Sequence, residues 1–260
     1  MKFQLPGALL DASIAGKGEP SLLFLHYFGG SSRSWSEVIE ELCPSLRCIA
    51  PDLRGFGASN AARGPFSLAQ NADDIAALIG ELKLENFWVI GHSMGGKIAL
   101  ELASRRPRGL EGLVLLAPSP PSPEPMSEET RASLLESHGR VTKAREILCD
   151  ITAHPLPAAT FQRAIKDNLR VSDEAWRAWL ESGSREDISA QMSRVDVPVE
   201  VVAGAKDENL GAKVMKREVM PLLRDARLQI VADCGHLLPL EAPEAIAEMV
   251  RSAVYDSLSA

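Results

Sequence analysis

The chain is expected to fold as an α/β protein: a mostly parallel sheet flanked by helices and interrupted once by a helical insertion. Three observations carry that expectation. Short apolar, β-favouring runs recur at residues 21–26, 47–51, 87–91, 110–117, 199–203 and 227–231, with helical patterns between them. Several of these runs (LLFL, FWVI, LVLL) are apolar throughout, which suits central strands buried on both faces; a half-exposed strand would alternate. The alternation then stops between Pro118 and about Arg194, a stretch far longer than the dozen or so residues a parallel crossover requires.

Taken in order, the start of the chain has apolar pieces broken by Pro6, Gly7 and Asp11, so it carries neither a signal-peptide core nor a spanning segment, and a cytoplasmic protein is expected. Leu68, Ala72, Ile75, Ile79 and Leu82 line one face of a helix. Another helix is expected from Met94. A last one starts near Pro243, a residue suited to a first helical turn, and continues through Ile246, Val250 and Val254. The insertion opens with APSPPSPEP, whose prolines favour stiff polyproline geometry. Amphipathic segments follow around 130–136, 141–151, 161–169 and 174–180. The expected organisation is a core of residues 1–118 and 194–260 with a helical cap over residues 119–193.

Bulk properties narrow the function. At 260 residues, 45% hydrophobic and 24% charged, the chain can bury a substantial core without staples. A formal net charge of -7 repels phosphate backbones and anionic lipid, so no nucleic-acid or membrane partner is expected, and small-molecule chemistry is favoured. Cys43, Cys48, Cys149 and Cys234 form no CxxC pair and have no histidines at ligand spacing, so neither a metal site nor disulfides are expected.

The chemistry concentrates at Gly91-His92-Ser93-Met94-Gly95, where an apolar strand runs into a helix-favouring stretch. GxSxG at such a junction puts the serine on a tight, strained bend that pushes its hydroxyl out over the sheet edge. Residues 91–97 also spell GxxxxGK, the start of a phosphate-cradling loop, but Ile98 stands where that loop needs a Ser or Thr to hold magnesium. A serine nucleophile needs a base. His236, in Cys234-Gly235-His236 after the last expected strand, is the choice among five histidines. His92 adjoins the serine but is expected to point the other way. His138 and His154 fall in the cap and are expected to face solvent, and His26 is expected to hold its own loop. Asp207, after the strand at 199–203, is the expected partner that orients the base, with Glu208 in reserve and Asp233 read as a turn residue. An oxyanion needs donors: the backbone N–H of Met94 at the helix start, and that of Phe28 in His26-Tyr27-Phe28-Gly29-Gly30, with Tyr27 the alternative. The run Asp52-Leu53-Arg54-Gly55-Phe56-Gly57-Ala58-Ser59 reads as loop-tethering, through its Asp and Arg, rather than catalytic. Trp176 and Trp179 either roof a substrate pocket, together with Tyr27, or pack the cap.

The runs LLFLHYFGGSSRSW, APDLRGFGAS, VIGHSMGGKIALELA, VVAGAKDENL and DCGHLLPLEAPE resemble the α/β-hydrolase superfamily, in particular its small members with a helical cap, such as carboxylesterases, enol-lactonases, perhydrolases and carbon-carbon bond hydrolases. The resemblance implies an eight-stranded, mostly parallel sheet, catalytic positions Ser93, Asp207 and His236, donors from Phe28 and Met94, and no cofactor. It departs at Tyr27, where the family commonly has glycine. Relatives that resemble the pattern but carry aspartate at the elbow act on halides or epoxides, so Ser93 points to acyl transfer on a small carboxylic ester or lactone. A carbon-carbon hydrolase, perhydrolase or lyase on the same residues, or a ligand-binding protein with a slow triad, stands as the alternative.

Overall fold

The computed structural model describes residues 1–257. Its sheet has eight strands: β1 (Lys2–Leu5), β2 (Ala8–Ala15), β3 (Ser21–Leu25), β4 (Arg47–Pro51), β5 (Phe87–His92), β6 (Leu110–Leu116), β7 (Val199–Gly204) and β8 (Ala226–Val231). The spatial order is β1-β2-β4-β3-β5-β6-β7-β8. β1 and β2 run antiparallel to their neighbours, and every pair from β4 to β8 is parallel. This is the eight-stranded, mostly parallel sheet that the motifs imply.

Core strands β3 and β5 are buried at every position, as their unbroken apolar runs require, because helices cover both faces. Those helices are α1 (Ser36–Leu42), α2 (Leu68–Leu82), α3 (Met94–Ser104) and, at the end of the described chain, α10 (Pro243–Ser257). The face of α2 that repeats at Leu68, Ala72, Ile75 and Ile79 is buried, and Ser67 caps its start by accepting the N–H of Gln70.

Between β6 and β7 lie four helices, α4 (Glu128–Ser137), α5 (Val141–Asp150), α6 (Ala158–Asn168) and α7 (Asp173–Glu181). Ser127 and Ser172 cap α4 and α7. This layer is fastened to the core in several places. Arg163 pairs with Glu37 at 2.6 Å, Arg33 pairs with the buried Asp167, and the N–H of Ser172 donates to Gly55 O at 2.8 Å. Gly55 has φ +85, and a Cβ there would meet the Cβ of Ala175 at 2.3 Å, so α7 sits directly on that loop. After β7 come the short helices α8 (Ala212–Val214) and α9 (Leu238–Glu241), before and after β8.

Candidate active site

The residues singled out by their motifs lie on loops leaving the carboxyl ends of neighbouring parallel strands: Phe28 after β3, Ser93 after β5, Asp207 after β7 and His236 after β8. In a parallel sheet this edge is where such loops converge.

Ser93 sits at φ +52, ψ -115, a sparsely populated conformation for a residue with a side chain. Surrounding bonds hold it there. Its N–H donates to Leu116 O at 3.0 Å, and its carbonyl accepts the N–H groups of Gly96 and Ser119. The flanking glycines are required by close approach: a Cβ on Gly91 would meet Gly95 O at 2.6 Å, and one on Gly95 would meet Leu25 O at 2.2 Å. The Ser93 hydroxyl opens on a cavity of about 720 Å³ that His236, Tyr27, Phe28 and Trp179 also line. That volume falls within the range of small-molecule sites.

Asp207 Oδ2 lies 2.7 Å from His236 Nδ1, and Asp207 Oδ1 accepts the N–H groups of Asn209 and Leu210 at 2.9 and 3.0 Å. Burial pushes the Asp207 carboxyl up, but the hydrogen bond and charge of His236 and the two N–H donors outweigh it, and its pKa falls. For His236, burial is the largest single effect and pushes down, but the hydrogen bond and charge of Asp207 together with the charges of Glu124 and Glu241 outweigh it, so the net direction is upward. With Nδ1 engaged by the carboxylate, Nε2 is the nitrogen left without that partner. Among the described residues the side chains of His236 and Ser93 share this cavity without a hydrogen bond between them.

The backbone N–H groups of Phe28 and Met94 have no acceptor among the described residues. Met94 N–H is free because it opens α3, whose first N–H groups lack intrahelical partners. The bulk of Tyr27 is accommodated by Gly30, where a Cβ would meet the ring at 2.7 Å; the ring packs at 5.2 Å on His92. His26 holds this loop: its Nε2 accepts the N–H of Leu53 at 3.1 Å, and its Nδ1 donates to Tyr27 O at 2.9 Å. Asp52 likewise ties down loops, accepting the N–H groups of Ser32 and Ala58, and Arg54 is buried against Asp74.

The other residues singled out divide between the cavity wall and the structure behind it. Trp179 lines the cavity, but Trp176 does not: it packs behind Phe28, with ring centres 4.3 Å apart, and donates its Nε1–H to Leu134 O. His138 does not simply face solvent. It stacks on Trp176 at 5.0 Å, because the helix spacing of α7 turns that ring toward the end of α4, while His154 is exposed. His92 is buried and donates Nε2–H to His236 O at 2.8 Å, supporting the loop of His236 from below. Glu208 is exposed, and Asp233 is a turn residue at φ +55 paired with Lys206.

Two contributors escape motif reading. Glu124, inside the proline-rich run, lines the cavity; its neighbours signalled only chain stiffness. Glu241 accepts the N–H groups of Gly235, Leu237 and Ala153 and so shapes the loop that carries His236. Its spacing of five from His236 could have drawn notice.

A sequence model described as the alpha/beta hydrolase family matches residues 22–249. The chain belongs to that family. As a family member it is similar to the 2-succinyl-6-hydroxy-2,4-cyclohexadiene-1-carboxylate synthase of Enterobacter sp. (strain 638), at 31% identity over 90% of this chain and 91% of that protein. Its fold matches an esterase from Exiguobacterium antarcticum with TM-score 0.89 at 20% identity, covering 98% of each chain. It also matches the enol-lactonase from Burkholderia xenovorans LB400 with TM-score 0.85 at 21% identity, covering 100% of each chain.

Proposed function

We propose that this family member is a serine hydrolase that cleaves a small carboxylic ester or lactone through an acyl-enzyme. The observation that carries the reading is the 2.7 Å contact between Asp207 and His236 at the cavity onto which the strained Ser93 opens. Ser93 Oγ attacks the ester carbonyl and passes its proton to His236 Nε2, while the N–H groups of Phe28 and Met94 receive the oxyanion. Collapse expels the alcohol, which takes the proton from His236. Water, deprotonated by His236, then attacks the acyl group and releases the acid and Ser93. Asp207 stays ionised throughout, fixing the tautomer of the imidazole and stabilising its charged form.

The cavity lining supports this reading over the reaction named for the Enterobacter relative. That name describes a carboxylate-bearing product, which calls for a cation in the pocket. Among the described lining residues there is no lysine or arginine, and Glu124, Glu129 and Asp150 are acidic.

The test is a fluorophosphonate probe together with a short p-nitrophenyl ester. Labelling at Ser93 with rapid ester turnover is the expected result. Labelling with negligible turnover overturns the hydrolase reading in favour of a binding protein, and a strong preference for a vinylogous diketone overturns it in favour of carbon-carbon cleavage.

A further inference from the structure

The lining of the Ser93 cavity combines aromatic faces with carboxylates. Tyr27, Phe28 and Trp179 contribute the rings, and Glu124, Glu129 and Asp150 the acids. Glu129 and Asp150 are exposed, so water screens them and they bias entry rather than hold a ligand. Glu124 differs. Its Oε2 is buried and has no hydrogen-bond partner, an expensive condition for a carboxylate oxygen unless something else supplies a donor.

The protein's own cations do not supply it. The Nζ of Lys97 donates to Ser122 O and Glu186 O, and Nη1 of Arg131 donates to Leu180 O and Ser184 Oγ. Neither is within ion-pair distance of Glu124 among the described residues, though burial raises the pKa of Glu124 and the charges of Lys97, His236 and Arg131 oppose that rise. An acid with an unfilled acceptor beside aromatic faces suits a ligand that brings both positive charge and N–H donors. A protonated amine does both, since the ring faces attract its charge and the carboxylate accepts a hydrogen bond from its N–H. A carboxylate-bearing ligand meets repulsion at the same place.

We infer that Glu124 is the specificity-determining residue of this cavity and that it selects esters whose non-reacting end carries a protonated amine, against those carrying a carboxylate. The inference rests on the serine-hydrolase reading for its kinetic consequence, though not for binding.

The experiment compares p-nitrophenyl ω-aminohexanoate, its uncharged isostere p-nitrophenyl heptanoate, and the p-nitrophenyl half-ester of pimelic acid, on the wild-type protein and on Glu124→Gln. The wild type is expected to show kcat/KM highest for the ammonium ester and lowest for the half-ester. Glu124→Gln is expected to lose about 10- to 100-fold more on the ammonium ester than on the heptanoate, a ratio in which any general change transmitted through His236 cancels. Equal wild-type rates on the three esters, or an ammonium preference that survives Glu124→Gln, overturn the inference and leave the hydrolase reading intact. A binding measurement separates the two failures. Hexylammonium, hexanol and hexanoate are titrated against wild type and Glu124→Gln, following the fluorescence of Trp179 beside the cavity. Should no ester turn over, the hydrolase reading falls, and Glu124-dependent preference for hexylammonium still decides for the inference or, by its absence, against it. Retained folding of Glu124→Gln is read from its melting curve.

Discussion

Glu241 binds Ala153: a carboxylate at the end of α9 accepts, at 2.7 Å, the backbone N–H of a residue just past α5 in the inserted layer. The same carboxylate takes the N–H groups of Gly235 at 3.0 Å and Leu237 at 2.9 Å, on either side of His236, whose own N–H donates to Ile151 O at 2.8 Å. The loop of the imidazole and the layer above it are therefore one hydrogen-bonded unit. Glu241→Ala strands three N–H groups and loosens the imidazole. Its kcat on a p-nitrophenyl ester is expected to fall about 10- to 100-fold, the scale of a small misplacement of a reacting group. Glu241→Gln, whose amide oxygen still accepts, is expected to recover part of that loss. Equal rates for Glu241→Ala and wild type would remove Glu241 from any positioning role.

Gly235 marks the same contact from the other side. A Cβ there would lie 2.7 Å from Ala153 N and 2.8 Å from Ile151 O, both backbone atoms that cannot swing away. Gly235→Ala is expected to lower the melting temperature and kcat together, with fluorophosphonate labelling of Ser93 slowed in proportion.

Backbone strain at Ser93 gives a prediction about stability rather than rate. A residue with a Cβ at φ +52, ψ -115 costs about 1–3 kcal/mol, whereas glycine adopts positive φ freely and loses about 0.5–1 kcal/mol in entropy. Ser93→Ala keeps the strain and Ser93→Gly removes it. Both abolish labelling, and Ser93→Gly is expected to melt above Ser93→Ala.

The pH profile follows from the groups around His236: Asp207 from the loop after β7, Glu124 from the insertion, Glu241 from α9 and His92 from β5. Burial lowers the pKa of His236, the carboxylates raise it by more, and the net shift is upward. Burial and the charge of His236 push His92 down to about 3, so it is neutral in the working range. A base must be unprotonated to act. Activity should therefore rise with pH, with the acid limb of kcat/KM centred above the 6.5 of a free imidazole. Asp207→Asn is expected to move that limb downward and to cut kcat by about 10⁴-fold through loss of the productive tautomer. A limb at or below 6.5 in the wild type contradicts the assignment.

Arg54 and Asp74 form a buried bidentate pair, Nε to Oδ2 at 2.8 Å and Nη2 to Oδ1 at 2.6 Å. Removing one partner leaves an uncompensated charge. Asp74→Ala is expected to lose about 3–5 kcal/mol in urea unfolding, while kcat per folded molecule is unchanged. A catalytic defect without loss of stability would reverse the structural reading of the Asp52–Gly55 run.

Strands β3 to β7 were legible because burial on both faces demands largely apolar runs, and that demand is local; the edge strand β8, mostly half-exposed, was legible from its β-favouring residues at 227–231. The β1–β2 hairpin was not: its strands alternate, and Pro6 and Gly7, which read as interruptions, are its turn, with Gly7 at φ +79 and Leu5 in register with Ala8. At the site, Ser93 was legible because its elbow is built from adjacent residues. Asp207 and His236 followed from chain order after strands. Trp176 was ambiguous because helix spacing gives the face of α7 but not which of two rings on it reaches a void. Glu124 was invisible for a related reason: its meaning comes from what fails to pair with it, and pairing across the insertion is a long-range property.

Lys97, buried in α3, holds Ser122 O and Glu186 O with a single ammonium, and Ile188 N–H donates to Pro121 O at 2.8 Å beside it. The inserted chain thus departs and returns at one point, so closing it costs little more for a long excursion than for a short one. A segment of different length can be spliced between those two carbonyls without altering the sheet, provided that it restores the acceptor at Ile151 and the donor at Ala153 on which the His236 loop rests.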